Sequence, residues 1–462
     1  MSTIKRLLVI VVICGVMQAV ESFGDPSTDP RRAASALVVG IGFVLIAAWF
    51  SGRIFSTMRL PKLTGYLAMG IVAGPLLGLL APSTVSGMGL VNGMATALIA
   101  LTGGSEMDFR AMRPLFKSIG WISLIAVAGT AFALSLLAWI LAPQLAFMQG
   151  LSPLGRIAIA FVVGIVTVAQ SPAVVVAIRA ETGADGPVAR TALGVVVLAD
   201  LLVIVLFAIA SSGADAVLSG SSDFARTARQ MTWELFGSLG IGISIGAILA
   251  AWLRFVGERG LDLFVLLVCF VAAEVGRRVH LDPLLLMLAA GMFVENVSRR
   301  GAVLRRAFED ASLPVYILFF TVAGASVHLR ELPTVALPAA AFIVVRSTGL
   351  YFGTRLAARV SGADPQVAKY GGFGLLPQAG LAIALSQLFS RTFPSLGPST
   401  AALTLSIVAI NEIVAPALFR VALVRSGEAV NGVTSTIDEP PDDDDAPEDP
   451  EEPGEAAEEP AG

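Results

Sequence analysis

The chain has 462 residues, of which 55% are apolar and only 14% charged, and its mean hydropathy is +0.80. A soluble protein carries about 25% charged residues, so a soluble globular body is excluded. Apolar runs of span length recur without two-residue alternation, which argues against a membrane β-barrel and leaves an all-α polytopic membrane protein.

In chain order, residues 1–22 read as a signal peptide or a short first helix, with Lys5-Arg6 ahead of an apolar run to Val20. About thirteen spans follow, near 36–55, 62–81, 85–107, 115–142, 154–179, 186–212, 231–256, 261–280, 282–298, 312–328, 332–360, 367–390 and 397–425. Short connections make 36–425 one bundle, and the 46 Gly residues suit close helix packing in lipid. Cys14 and Cys269 sit in apolar runs and read as small buried apolar residues. Residues 428–462 hold fourteen of the 35 acidic residues and no Lys or Arg. This tail cannot bury a core and is expected to be disordered. It reads as a solubilising segment, with cation sensing or partner binding as the alternative. The remaining body has 31 basic against 21 acidic residues, so the formal net charge of −4 belongs to the tail. Alternate loops hold 21 and 8 Lys and Arg residues. The richer set faces the cytoplasm by the positive-inside rule, which places the C-terminus inside a cell (inner) membrane.

Asp200 lies in the apolar run Thr191–Ala210, without Lys or Arg. A carboxylate mid-span costs roughly 2.5–3.5 kcal/mol, which points to cation or proton handling; the competing reading is a structural hydrogen bond between helices. Two spans carry breakers at depth. One reads Thr167-Val-Ala-Gln170-Ser171-Pro172, the other Gly371-Gly-Phe-Gly-Leu-Leu-Pro377-Gln378-Ala-Gly380. Proline removes a backbone donor, and glycine and polar neighbours let the helix unwind where it lines a cavity; an ordinary proline kink is the plainer alternative. Spans 115–212 and 332–425 form two triplets an odd number of spans apart. Each has a broken second member and an acid in its third, Asp200 in one and Glu412 beside Asn411 in the other. This is the pattern of inverted repeats whose broken helices cross at the midplane.

Arg346 is always charged and needs a partner in lipid, so it is expected to pair with Glu274, Glu106 or Glu412. Glu106 and Glu295, beside Asn296, are alternatively placed to reach water. His280 and His328 read as interfacial, with pH sensing as the alternative. There is no phosphate-binding Gly-Lys-Ser/Thr loop, no metal-ligand spacing, no nucleophile–base motif and no basic nucleic-acid face. An enzyme, a cofactor and a nucleic-acid partner are therefore not expected.

These motifs resemble the cation–proton antiporter superfamily of sodium/proton and potassium/proton exchangers over roughly residues 36–425. Asp200 stands where that superfamily has the second acid of its Asn-Asp, Asp-Asp or Gln-Asp pair. Ser171-Pro172 stands where many members have Asp-Pro, Leu376–Leu381 resembles the second broken helix, and Leu313–Gly324 resembles the helix before the second triplet. Ala199 replaces the first acid or amide of the pair, and span 312–328 lacks the Lys of electrogenic members. The resemblance therefore implies electroneutral exchange of one proton for one monovalent cation, Na⁺ or K⁺, at Asp200. Thr167, Gln170, Ser171 and backbone carbonyls complete the shell, with Pro172, Pro377 and Gln378 supporting the breaks. It further implies a core (85–212 and 312–425), a scaffold (36–81 and 231–298) and a homodimer. The remaining alternatives are a sodium-coupled organic-anion symporter of related fold and an ion sensor that does not transport.

Overall fold

The computed structural model describes residues 3–22, 30–58, 60–219, 229, 232–279, 281–307, 309–327 and 332–429, and these are all-helical apart from turns. His280, His328 and residues 430–462 of the acidic tail lie outside the described residues. The helices are α1 (Thr3–Ser22), α2 (Pro30–Thr57), α3 (Lys62–Ile71), α4 (Pro82–Gly87), α5 (Gly89–Ser105), α6 (Phe109–Met112), α7 (Phe116–Ile122) and α8 (Gly129–Ile140). There follow α9 (Pro153–Val168), α10 (Pro172–Thr182), α11 (Pro187–Ser219), α12 (Ser238–Phe255), α13 (Leu261–Arg278) and α14 (Pro283–Phe293). The last are α15 (Gly301–Arg306), α16 (Glu309–Ala325), α17 (Leu332–Ser361), α18 (Pro365–Tyr370), α19 (Gly380–Thr392) and α20 (Gly397–Ser426).

Each of the thirteen expected spans falls on helix, but fewer qualify as spans on their own. Among the described residues seven helical stretches are long and apolar enough to cross a membrane, or eight if the bent pair Pro365–Leu375 and Gly380–Ser390 counts as one. The others are short or charged. α3 has ten residues before a π-helical turn, α14 has eleven, and α13 carries Asp262 and Glu274. The N-terminal segment is helical in α1 and packs on α2.

Local chemistry sets the helix ends. Ser152, Ser171, Asp282 and Asp364 are N-caps whose side chains accept backbone N–H bonds, each with proline in the first turn. Gly183 ends α10 at φ +62°, where a β-carbon would be strained. Where helices α5 and α14 cross, a β-carbon on Gly104 would come within 2.1 Å of Leu288 O, and one on Gly291 within 2.2 Å of Leu101 O. Only glycine allows that approach, which is how helices pack closely in lipid.

Glu428, placed by the sequence at the start of the tail, is part of the fold. Its Oε1 accepts from Val188 N at 2.6 Å and its Oε2 from Ala189 N at 2.9 Å, capping α11. The carboxylate satisfies two orphan amides and faces the positive end of the helix dipole. Glu428→Ala is therefore expected to cost about 1–2 kcal/mol, seen as a lower unfolding temperature in detergent. Truncation after Ala429 should leave that temperature unchanged.

Candidate functional site

Helix α9 stops at Val168 and α10 starts at Pro172, so Ala169, Gln170 and Ser171 form the first break. The second lies between a 3₁₀ turn ending at Leu375 and α19, which starts at Gly380, and the two halves bend by 46°. Both breaks fall where Ser171-Pro172 and Pro377 place them. An unwound segment leaves carbonyls without helical donors, and the chain supplies those donors from one side chain. Arg346, on α17 and completely buried, donates from Nε to Thr167 O (3.0 Å) and from one terminal nitrogen to Leu376 O (2.7 Å). The other terminal nitrogen donates to Ala169 O (2.9 Å) and Leu375 O (3.4 Å). One guanidinium thus binds the two breaks to each other. Gln378 joins them a second time, donating to Thr167 O at 3.1 Å and accepting from Asn411 Nδ2 at 2.9 Å.

This corrects the expectation that Arg346 pairs with an acid. Glu106 pairs instead with Arg179 at 2.8 Å and Glu274 with Arg278 at 2.8 Å. Glu412 is buried and its Oε1 has no hydrogen-bond partner. The physical reason is that carbonyls freed by two adjacent breaks form a concentrated patch of negative dipole, which a five-donor fork satisfies without a buried carboxylate. The expected role of Thr167 also changes. Its hydroxyl donates back to Val163 O and Gly164 O within α9, and its carbonyl is taken by Arg346 and Gln378.

Beside the breaks lies a cavity of about 490 Å³. Gln170, Ser171, Pro172 and Asp200 line its buried side, with Asn92 and Thr96 from α5. Asp200 is 8% exposed, and its Oδ1 has no hydrogen-bond partner. Gln170 Oε1 is likewise buried and unpartnered, while its amide nitrogen donates to Val168 O at 3.1 Å. Ser171 Oγ faces its own helix as the cap, accepting from Val174 N at 3.4 Å. No basic residue lines the cavity among the described residues. Buried polar atoms ordinarily find partners, so Asp200 and Gln170, which line one cavity, each carry a buried oxygen that the fold leaves unsatisfied.

Three further acids line the same cavity: Glu234, Glu274 and Asp282. Glu274 entered the sequence reading only as a partner for Arg346, and the other two were missed. The signal for Asp282 was the cap-and-proline pair Asp282-Pro283; Glu234, near a span end, gave none.

The other end of α10 carries a chain of ion pairs. Arg179 pairs with Glu106 from α5 and with Asp185 at 2.9 Å, and Arg190 pairs with Asp185 at 2.7 Å. Asp185, in the loop outside the spans, is held below the usual carboxylate range by its hydrogen bonds to Arg190, partial burial opposing and the Arg179 charge reinforcing. Arg179, the latch residue on α10, stands about 10 Å along the helix from Pro172 at the cavity.

The family model for the transmembrane sodium/hydrogen exchanger matches residues 41–425. The chain belongs to that sodium/hydrogen exchanger family. Its fold is similar to that of the sodium proton antiporter MjNhaP1 from Methanocaldococcus jannaschii. The structure of that protein at pH 8 aligns with a TM-score of 0.59 at 16% identity, covering 86% of this chain and 100% of the other. Its electron-microscopy structure aligns with a TM-score of 0.64 at 15% identity, covering 84% and 96%. A curated relative, the iron transporter MagA of Paramagnetospirillum magneticum, is 26% identical over 297 residues, which is 60% of this chain and 61% of that protein. The match thus spans under two thirds of that relative's length. Family, fold and apolar helices together make this exchanger-family chain a multi-pass membrane protein.

Proposed function

We propose that this exchanger-family member is a secondary-active antiporter that exchanges Na⁺ or K⁺ for a proton, the two competing for Asp200. The observation that carries this reading is the Asp200 carboxylate itself: 8% exposed, unpartnered at Oδ1 and facing a cavity that no described basic residue lines. A bare carboxylate there is costly, and either a proton or an alkali cation cancels its charge. Both loaded forms are neutral and can move with the protein, whereas the empty charged form is held back, and that difference couples the two fluxes. Hard cations take oxygen ligands, and Gln170, which lines the same cavity, carries an Oε1 without a hydrogen-bond partner, with Ser171 Oγ next in the chain. Thr167 leaves this shell. Arg346 and Gln378 act as positioning residues that hold both breaks at one geometry.

Access to Asp200 is from the cavity side, because the Glu106–Arg179–Asp185–Arg190 latch closes the other end. The cavity end joins the loops poorer in basic residues, so the conformation faces outward if the richer loops are cytoplasmic. Segments 85–212 and 312–425 would be the moving core and 36–81 and 231–298 the scaffold of a homodimer. With one acid at the breaks, exchange is electroneutral.

Proteoliposomes loaded to a pH gradient test this reading. Adding NaCl, KCl or LiCl should collapse the gradient in a cation-selective manner, choline chloride should not, and a clamped membrane potential should leave the rate unchanged. A gradient indifferent to every alkali salt would remove the exchange reading; a rate that follows the potential would remove electroneutrality alone.

A further inference from the structure

Helix α3 begins without a cap of its own. Its N-cap residue is Pro61, whose side chain has no acceptor for the first amides of the helix. The acceptor comes from 119 residues away, where Glu181 Oε1 accepts from Lys62 N at 2.8 Å. Glu181 is the penultimate residue of α10, the helix that starts at the first break. That end of α10 is itself held in place, because Arg179 Nε donates to Ala184 O at 3.3 Å and Thr182 Oγ1 to Ile178 O at 2.7 Å. The charges of Lys62 and of Arg420, on α20, stand near enough to act on the Glu181 carboxylate. Its Oε2 is buried without a hydrogen-bond partner, which leaves Oε1 as the oxygen that makes the contact.

We propose that Glu181 is a reversible tie that holds the core to the scaffold in this access state and releases α3 each time the core moves. The proposal rests on the exchange reading above, in which α3 belongs to the scaffold and α10 and α20 to the core. A cap supplied by a helix's own chain survives any rigid movement. A cap supplied across a boundary lasts only while both sides keep their places, because a hydrogen bond tolerates little stretch or tilt. Lys62 and Glu181 are only partly buried, so water can take up both groups when they part. The competing role is a permanent brace, in which α3 and α10 travel together.

The test uses the full chain in proteoliposomes, with Cys14→Ser and Cys269→Ser as background and Lys62→Cys and Glu181→Cys introduced together. A short bis-methanethiosulfonate reagent links the pair, and dithiothreitol cuts the link. Proton movement driven by NaCl or KCl should fall on linking to the rate of protein-free liposomes, measured against Glu181→Cys treated with the same reagent, and should return on reduction. Linked protein that keeps its rate is braced rather than tied, and overturns the proposal. If the pair does not fold, hydrogen exchange on the unaltered protein in detergent decides. At alkaline pH in choline chloride the empty, charged core is held back and Glu181 keeps the Lys62 amide covered. NaCl or KCl at the same pH frees the core, so deuterium uptake at Lys62 should rise several-fold. Equal uptake in choline, sodium and potassium chloride overturns the proposal. The two readings fail separately. Unaltered protein that moves no protons with any alkali salt strikes the exchange reading, whereas flux that persists through the link strikes only the tie.

Discussion

Asp200→Asn should abolish cation-driven proton movement and at the same time raise the unfolding temperature. The amide has nearly the shape of the carboxylate but holds neither a proton nor a cation, so the rate should fall to that of protein-free liposomes. Stability moves the other way because Asp200 Oδ1 has no partner in the fold. Replacing a mid-span carboxylate by an amide removes a burial cost of roughly 2.5–3.5 kcal/mol when the site is empty. Thermal unfolding in detergent without alkali salt should therefore shift upward, and the stabilisation that Na⁺ or K⁺ gives the unaltered protein should vanish. A structural hydrogen bond at Asp200 predicts the opposite signs, a less stable variant that still transports. Full transport by Asp200→Asn would end the site assignment whatever its stability.

Arg346→Leu should prevent folding, and Arg346→Lys should fold but transport slowly. Four carbonyls at the two breaks accept from this one side chain, and only Thr167 O has a second donor, Gln378. Each buried acceptor left without a donor costs about 1–3 kcal/mol, so losing several consumes much of a total stability of about 5–15 kcal/mol. Lysine keeps the charge but presents a compact ammonium in place of a planar fork. It cannot span both breaks as Arg346 does, so their spacing, and with it the oxygens around Asp200, should loosen. Size-exclusion profiles and proteoliposome rates separate the two effects. Glu412→Gln supplies the contrast. An ion pair with Arg346 would make that change as damaging as Arg346→Lys, whereas carbonyl ligation predicts a folded and active variant.

Asp200, Ser171-Pro172, Pro377 and Arg346 were all legible in the sequence because each carries a local cost. A charge in an apolar run, or a proline inside a helical period, is unfavourable wherever the chain goes, so its presence announces a use. The resemblance carried by these motifs agrees with the family to which the chain belongs. The count of spans was less legible, since hydropathy does not distinguish a full crossing from short helices joined at a break or a π-helical turn, as at Lys62–Leu76.

The partners were not legible. Arg346 lies 179 residues from Thr167 and 30 from Leu376, and nothing in either neighbourhood states that one guanidinium meets both. The same holds for Glu428 on the N-terminus of α11, 240 residues away, and for Glu234 and Asp282 converging on the cavity of Asp200. The sequence by itself determined a membrane-embedded helical body, an isolated acid within it and two places where helix must fail. Tertiary structure alone decided what satisfies the broken backbone and which acids share one cavity. Burial and backbone costs are properties of short stretches of chain, whereas a hydrogen-bond partner or a shared field exists only once distant helices have packed.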